Sequence, residues 1–516
     1  MIYAISSEAA GLETLDAVAC RRRVRRDDPT AELAVYHDTF DWRLYRDGGT
    51  LTASPGRRGT RFLWGSLDGS PRHRGEVDAM PAFAWDCPAG PCRDELAPII
   101  EMRRLLPIVE VERRTRTVHV LDDQEKTVAR LRLRVLQAAA PGEPKKALPA
   151  ALVTVPLRGY EREHADLVRL LESELGLVPT GQDELTAALA AIGRAPGDYS
   201  SKPRLDLEPS MRAVDAVVNI HRALLATLLA NEDGTRRDLD SEFLHDFRVA
   251  VRRTRSALTQ LEEVLPHESV ERFREEFRWL GSVTGPTRDL DVYLLEIDGY
   301  EALLPEAIRG HLEPLREFLR RRQRAEQERL VGELGSPRYR ELIAGWSAFL
   351  EGPIEGAGAG AERPIRELAS ERILKAWRRV RKKGRAIDDG SPVEALHRLR
   401  IDAKKLRYLL EFFRDLYDAA AVEPLVRALK KLQDNLGDFN DLRVQQETLR
   451  EFARRMYEEG AAPADVPLAD VLLAMGELVA ELRRLQGEER RRFGRRFAGF
   501  AAPENREAFR RLFGPP

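Results

Sequence analysis

His245-Asp246-Phe247-Arg248-Val249-Ala250-Val251-Arg252-Arg253-Thr254-Arg255 recurs 152 residues later as His397-Arg398-Leu399-Arg400-Ile401-Asp402-Ala403-Lys404-Lys405-Leu406-Arg407. Both copies open on histidine and keep an arginine, a β-branched residue, a pair of cations and a closing arginine at the same spacing. The register continues downstream, where Leu280, Gly285, Asp289, Leu290 and Val292 fall on Leu432, Gly437, Asp441, Leu442 and Val444. A register held over that length without an insertion implies a duplicated structural unit.

Placed on an α-helix, His245, Arg248, Arg252 and Arg255 share an arc of about 80°. Phe247, Ala250, Val251, Leu258 and Leu261 turn the other way. The second copy repeats this, with His397, Arg400, Lys404 and Arg407 in the stripe and Leu399, Ala403, Leu406 and Leu410 opposite; Arg253 and Lys405 flank their stripes. One face packs and the other presents cations. Like charges at this spacing destabilise a helix by roughly a few tenths of a kcal/mol per pair, so something must offset them.

Two readings are open on the residues alone. Carboxylates from neighbouring helices could lace the stripe into an ordinary solvated face, or a linear polyanion could lie along it. The duplication, with histidine leading both times and few acids on the stripe itself, favours the polyanion. Arginine offers phosphate a planar bidentate fork and lysine a mobile point charge. Histidine beside several phosphates is biased toward its protonated form. Two histidines this far apart lack the companion ligands a metal needs, so no metal site is expected.

Further cations extend the pattern. Arg378, Arg381, Lys382 and Arg385 share one face of the helix before the second motif, and Lys430 and Lys431 precede Gly437-Asp438-Phe439-Asn440-Asp441, read as a loop. Asp289 and Asp441 are expected in the first turn of the helices that follow, where a carboxylate meets the positive end of the dipole or orients a neighbouring arginine.

The chain of 516 residues is long enough for two or three domains. Charged residues make up 33% of it while the net charge is −1, so attraction for a polyanion must come from local segregation of charge. Cys20, Cys87 and Cys92 are read as unpaired thiols, with Cys87, Cys92 and His73 too few for a metal site. No apolar stretch is read as approaching the roughly 18 to 20 residues that span a bilayer, and no signal peptide is read at the start, which gives the expectation of a soluble cytoplasmic protein without a membrane partner.

Texture changes along the chain. Alternating apolar and polar residues at 117–120 and 129–135, around Asp122-Asp123-Gln124-Glu125-Lys126, read as a hairpin. Further strands are expected near 3–5, 50–53, 61–64 and 152–157, with Pro156 on an edge, and helices at 12–22, 96–105 and 165–175. Beyond about residue 208 the period is helical throughout. Breaks fall at 193–207, with Pro196, Gly197 and Pro203, and at the Gly/Ala-rich stretch 352–360, read as a flexible connector. The expected domains are 1–200, an α+β domain on antiparallel strands, and two halves of about four helices each, 208–350 and 362–505.

The duplicated motif resembles the CHAD family, the conserved-histidine α-helical domains. The resemblance implies two pseudo-symmetric four-helix bundles with a basic channel between them that binds inorganic polyphosphate, lined by His245, Arg248, Arg252, Arg253, Arg255, His397, Arg400, Lys404, Lys405 and Arg407. The N-terminal region is similar to the CYTH family, the triphosphate tunnel fold, through Tyr36-His37-Asp38-Thr39-Phe40-Asp41-Trp42-Arg43-Leu44 and the later hairpin. That family opens on Glu-x-Glu-x-Lys, whose carboxylates hold a divalent metal; this chain opens Met1-Ile2-Tyr3-Ala4-Ile5 and leaves Glu110 and Glu112 among arginines. The expectation is a degenerate, barrel-like tunnel domain with no catalytic residues and no cofactor. Polyphosphate is then held in the cytoplasm, at polyphosphate granules, without being hydrolysed. The competing function is a metal-dependent triphosphatase in the N-terminal domain. Nucleic acid is not expected as a partner, since neither an aromatic stacking platform nor a groove-reading motif is evident.

Overall fold

The computed structural model describes residues 1–67, 69–181, 183–202, 205–460 and 466–514. Pro203, part of the break above, lies outside them. The chain forms two compact units, Met1–Ser201 and Lys202–Pro516.

The first unit is an antiparallel sheet with short helices. Its strands are β1 (Ile2–Ile5), β2 (Val24–Arg26), β3 (Thr30–Asp38), β4 (Gly49–Pro55), β5 (Thr60–Ser66), β6 (Pro71–Val77), β7 (Leu106–Leu121), β8 (Thr127–Ala139), β9 (Lys146–Ala147) and β10 (Ala150–Pro156), and its helices are α1 (Glu8–Ala19), α2 (Arg43–Arg46), α3 (Pro91–Ile100), α4 (Glu161–Arg169) and α5 (Glu184–Ala191). The hairpin read from alternation is β7–β8. Asp122 closes its turn, accepting at its carboxylate from the amides of Gln124 at 2.9 Å and Lys126 at 2.8 Å. Val118, Val120, Ala129, Leu131 and Leu133 are buried on one face, while Arg130, Arg132 and Arg134 alternate onto the other.

Strands β3 and β6 were not expected, because Glu, Arg and Gly within them blur the alternation. Pro156 is the last residue of β10, which lies between β1 and β8 rather than on an edge, so its missing N–H falls at the end of the ladder. Pairing runs β1-β10-β8-β7-β3-β4-β5-β6. Among the described residues no ladder joins β1 to β6, so strand pairing does not close the barrel that the resemblance implies.

The second unit is helical: α6 (Ala213–Arg236), α7 (Ser241–Gln260), α8 (His267–Val283), α9 (Gly285–Leu303), α10 (Glu313–Leu334), α11 (Pro337–Glu351), α12 (Ile365–Arg385), α13 (Val393–Phe412), α14 (Ala419–Glu459), α15 (Leu468–Phe500) and α16 (Pro503–Phe513). The two motifs lie on α7 and α13. Every residue assigned to their packing faces is buried, from Phe247 and Leu258 to Leu399 and Leu406. The larger core joins Phe247, Phe277, Trp346, Trp377, Leu406 and Phe509, and the second joins Tyr293, Tyr300, Phe318, Phe452 and Leu478. Each core draws on both halves of the sequence, so 208–350 and 362–505 do not enclose one core apiece.

Three expectations are corrected. Gly437 to Asp441 form no loop: α14 runs through them for 41 residues. At the matching place in the first copy stands Pro286, which lacks an N–H and interrupts the ladder between α8 and α9. Asp438 in its place keeps the N–H, and the helix continues. Secondly, the 352–360 connector is tied down, since the Gly358 and Gly360 amides donate to the carbonyls of Val264 at 3.1 Å and Glu263 at 3.0 Å. A Cβ on Gly358 would sit 2.2 Å from the Glu263 carbonyl oxygen, so glycine is required by close backbone approach rather than for flexibility. Thirdly, α6 does contain an 18-residue window of mean hydropathy 1.4, long and apolar enough to cross a membrane by composition, but most of that window is buried in the protein core.

The starts of the two halves bond to each other. The Ala213 amide donates to the Arg363 carbonyl at 2.9 Å and the Ile365 amide to the Met211 carbonyl at 2.8 Å. In the 152-residue register these two bonds are the same bond read in opposite directions.

Candidate functional site

Helix α7 starts at Asp240, whose carboxylate accepts from the amides of Glu242 at 2.9 Å and Phe243 at 3.2 Å. With its apolar face buried, its cations turn outward, and α13 packs alongside with the same polarity of faces. Arg252, exposed, stands close enough to half-buried Lys404 to act on its charge. Burial, Arg400 and Arg252 together push the Lys404 ammonium down to about 8. These residues occupy the same motif position in the two copies. Among the described residues neither makes an ion pair.

Around this centre the copies differ. Arg248 donates to the Gly281 carbonyl at 3.1 Å and the Thr284 hydroxyl at 2.9 Å, and burial together with Arg252 holds it down to about 10. Its counterpart Arg400 pairs with Asp441 at 2.9 Å. His397 donates from Nδ1 to Asn440 Oδ1 at 2.9 Å, and the Asn440 amide reaches the same Asp441 at 3.2 Å, so histidine, amide, carboxylate and arginine form one chain. Asp441 thus orients a neighbouring arginine, as one of the two roles expected of it.

Arg253 is buried and pairs across the helices with Glu411 at 2.7 Å, while Glu411 also holds Arg407 at 2.6 Å. Here the ordinary reading applies: this flank of the stripe is laced by an internal carboxylate. Lys405 is half-buried, and Lys430 and Lys431 are exposed on α14. Burial and Arg278 of α8 hold Arg255 below its ordinary value. Sequence reasoning missed Arg278, although the register carried the signal, since Arg278 lies 152 residues before Lys430.

Among the described residues no contact brings Arg378, Arg381 and Lys382 onto this surface. Arg379 and Lys383 of the same helix face Asp402, on the packing side of α13, at 3.8 and 2.5 Å. Arg381 instead lies against α16, beside Arg506 and Arg510.

A cavity of about 970 Å³ opens between α9, α10, α14 and α15. Register partners line it from two sides, Asp289, Leu290 and Val292 facing Asp441, Leu442 and Val444. Its walls carry seven carboxylates and four arginines, and none of the expected binding cations is among them. The basic channel implied by the resemblance is therefore not this cavity. Asp289, near Arg248 and Arg252, and Asp441, on Arg400, border both the cavity and the stripe.

Residues 219–450 match the CHAD domain family, and this part of the chain is a CHAD domain. Two uncharacterized proteins of Mycobacterium tuberculosis, from strains CDC 1551 / Oshkosh and ATCC 25618 / H37Rv, are each 30% identical over 288 residues, covering 54% of this chain and 52% of theirs. The chain spans about half the length of these curated relatives. Among solved structures, the CHAD domain from the plant Ricinus communis aligns at a TM-score of 0.45 and 24% identity, over 61% of this chain and 96% of that one. PptA from Streptomyces chartreusis aligns at 0.42 and 17%, over 56% and 99%.

Proposed function

We propose that the helical unit binds inorganic polyphosphate on the surface where Arg252 and Lys404 meet, and that it does so without hydrolysing it. The observation that carries this reading is the approach of one cation from each copy, neither in an ion pair with a carboxylate among the described residues, while Asp441 and Asp289 act on them without direct pairing. Charge held together in this way, with Lys404 partly desolvated, favours an external anion that restores full protonation. The reciprocal bonds of Ala213 and Ile365 support a pseudo-twofold between the halves, which makes the surface composite. Internal pairs account for Arg253, and partly for Arg400 and Arg407, so binding centres on Arg252, Lys404, Arg248 and Arg255.

The N-terminal unit is read as a degenerate relative of the triphosphate tunnel. Two of its acids are engaged internally, Glu112 with Lys145 at 2.5 Å and Glu184 with Arg113 at 2.6 Å. Among the described residues no group of three or more His, Cys, Asp or Glu is arranged to hold a metal.

The test is a titration with polyphosphates of increasing length. Affinity should rise with chain length and fall steeply with salt. Arg252→Glu with Lys404→Glu should abolish binding while the circular dichroism spectrum stays unchanged; undiminished binding sinks the assignment. Duplex DNA should not displace long polyphosphate, and no phosphate should be released from tripolyphosphate with Mg²⁺ or Mn²⁺.

A further inference from the structure

Arg378, Arg381, Lys382 and Arg385 line one side of α12. The Arg381 guanidinium lies over the Trp377 ring, 4.5 Å from its centroid, and Trp377 stacks on Phe509 of α16 at 5.0 Å. Phe509 and Phe513 are buried, so α16 is seated firmly and holds Arg506 and Arg510 beside Arg381. None of these six cations makes an ion pair among the described residues. Arg381 Nε is buried without a hydrogen-bond partner.

Elsewhere the same chain gives its arginines acids: Arg316 has Asp298, Glu301 and Glu313, and Arg484 has Glu481 and Glu488. On α12 and α16, Arg381 has Arg385, Arg506 and Arg510 as its charged neighbours. Burial and the neighbouring arginines hold Arg381 below its ordinary value. A guanidinium stacked on an indole is fixed in plane, and with Nε buried an oxyanion is met by the terminal Nη donors.

We propose that α12 and α16 form a second anion site, which takes the phosphate groups of an oligophosphate chain on Arg381, Arg385, Arg506 and Arg510, separately from the Arg252–Lys404 surface. The site rests on this cluster, and its ligand class rests on the reading of that other surface.

Calorimetric titration of the full chain with tripolyphosphate should show two sites. Arg506→Glu with Arg510→Glu, both exposed positions, should remove one; Arg252→Glu with Lys404→Glu should remove the other. Two sites persisting in the α16 variant overturn the inference. A single wild-type site lost only with Arg252 and Lys404 also overturns it and leaves the proposed function standing. A single site lost only with Arg506 and Arg510 upholds it and overturns the proposed function. If the α16 variant melts early, Arg385→Glu, at an exposed position of α12, decides: weakening of the second site by about fivefold or more supports the inference, and an unchanged site overturns it. Duplex DNA taken up there in preference to tripolyphosphate overturns the ligand class.

Discussion

Helices α7 and α13 carry the same motif, yet they solve its charge problem differently. In α7, Arg248 hydrogen-bonds a carbonyl and a hydroxyl, with Asp289 and Asp291 acting on it without a direct ion pair, and Arg252 projects exposed. In α13, Arg400 has Asp441, His397 has Asn440, and Arg407 has Glu411. Matched positions are thus held by different partners, a carbonyl and a hydroxyl for Arg248 but a carboxylate for Arg400. A motif match therefore identifies which side chains face outward, while the neighbours decide how much of that charge a ligand can use.

The largest effect that separates the copies should come from Glu411, whose counterpart in the first copy is Thr259. Glu411→Gln removes the carboxylate paired with buried Arg253 and is expected to destabilise the protein by about 3 kcal/mol, the scale for breaking a buried ion pair. Chemical denaturation measures it. Thr259→Val, which removes only a hydroxyl bond to the Arg255 carbonyl, should cost about 1 kcal/mol; equal losses would break the contrast.

An intermediate effect is expected from Lys404. Its folded value of about 8 lies below the ordinary lysine value of 10.5, so the unfolded chain binds more protons between those limits and stability contributed by this group rises with pH across pH 8 to 10.5. Phosphate binding favours the protonated form, so affinity should fall as pH rises through about 8. Lys404→Met should remove both trends and weaken binding about tenfold at pH 7. Lys404→Arg should keep binding and flatten its pH profile. A wild-type affinity that is level from pH 7 to 9 would contradict the account of Lys404.

The smallest effect concerns the helix that is broken in one copy and continuous in the other. Gly437 sits within α14 with nothing within 4 Å of a built Cβ. Gly437→Ala should stabilise by about 0.5 to 1 kcal/mol without altering polyphosphate affinity. Destabilisation would show that the glycine serves a conformational change.

Much of the architecture was legible in the residues. The β7–β8 hairpin followed from strict alternation around Asp122, and the buried faces of α7 and α13 followed from the 3.6-residue period. The long α14 was misread because Gly437 and Asp438 suggest a loop, whereas buried Leu436 and Phe439 keep the helix running past them. The 352–360 stretch was misread because glycine signals both freedom and close approach, and only the Glu263 carbonyl distinguishes them.

By itself the sequence determined the duplication, the helical class of the second unit and the outward stripe on each motif helix, because these depend on periodicity along the chain. Tertiary structure alone decided that Arg252 meets Lys404, that Glu411 claims Arg253, and that Arg381 joins Arg506 and Arg510. Those outcomes depend on which charges are brought near one another across helices, and electrostatic energy falls off with distance in space, not with separation in sequence.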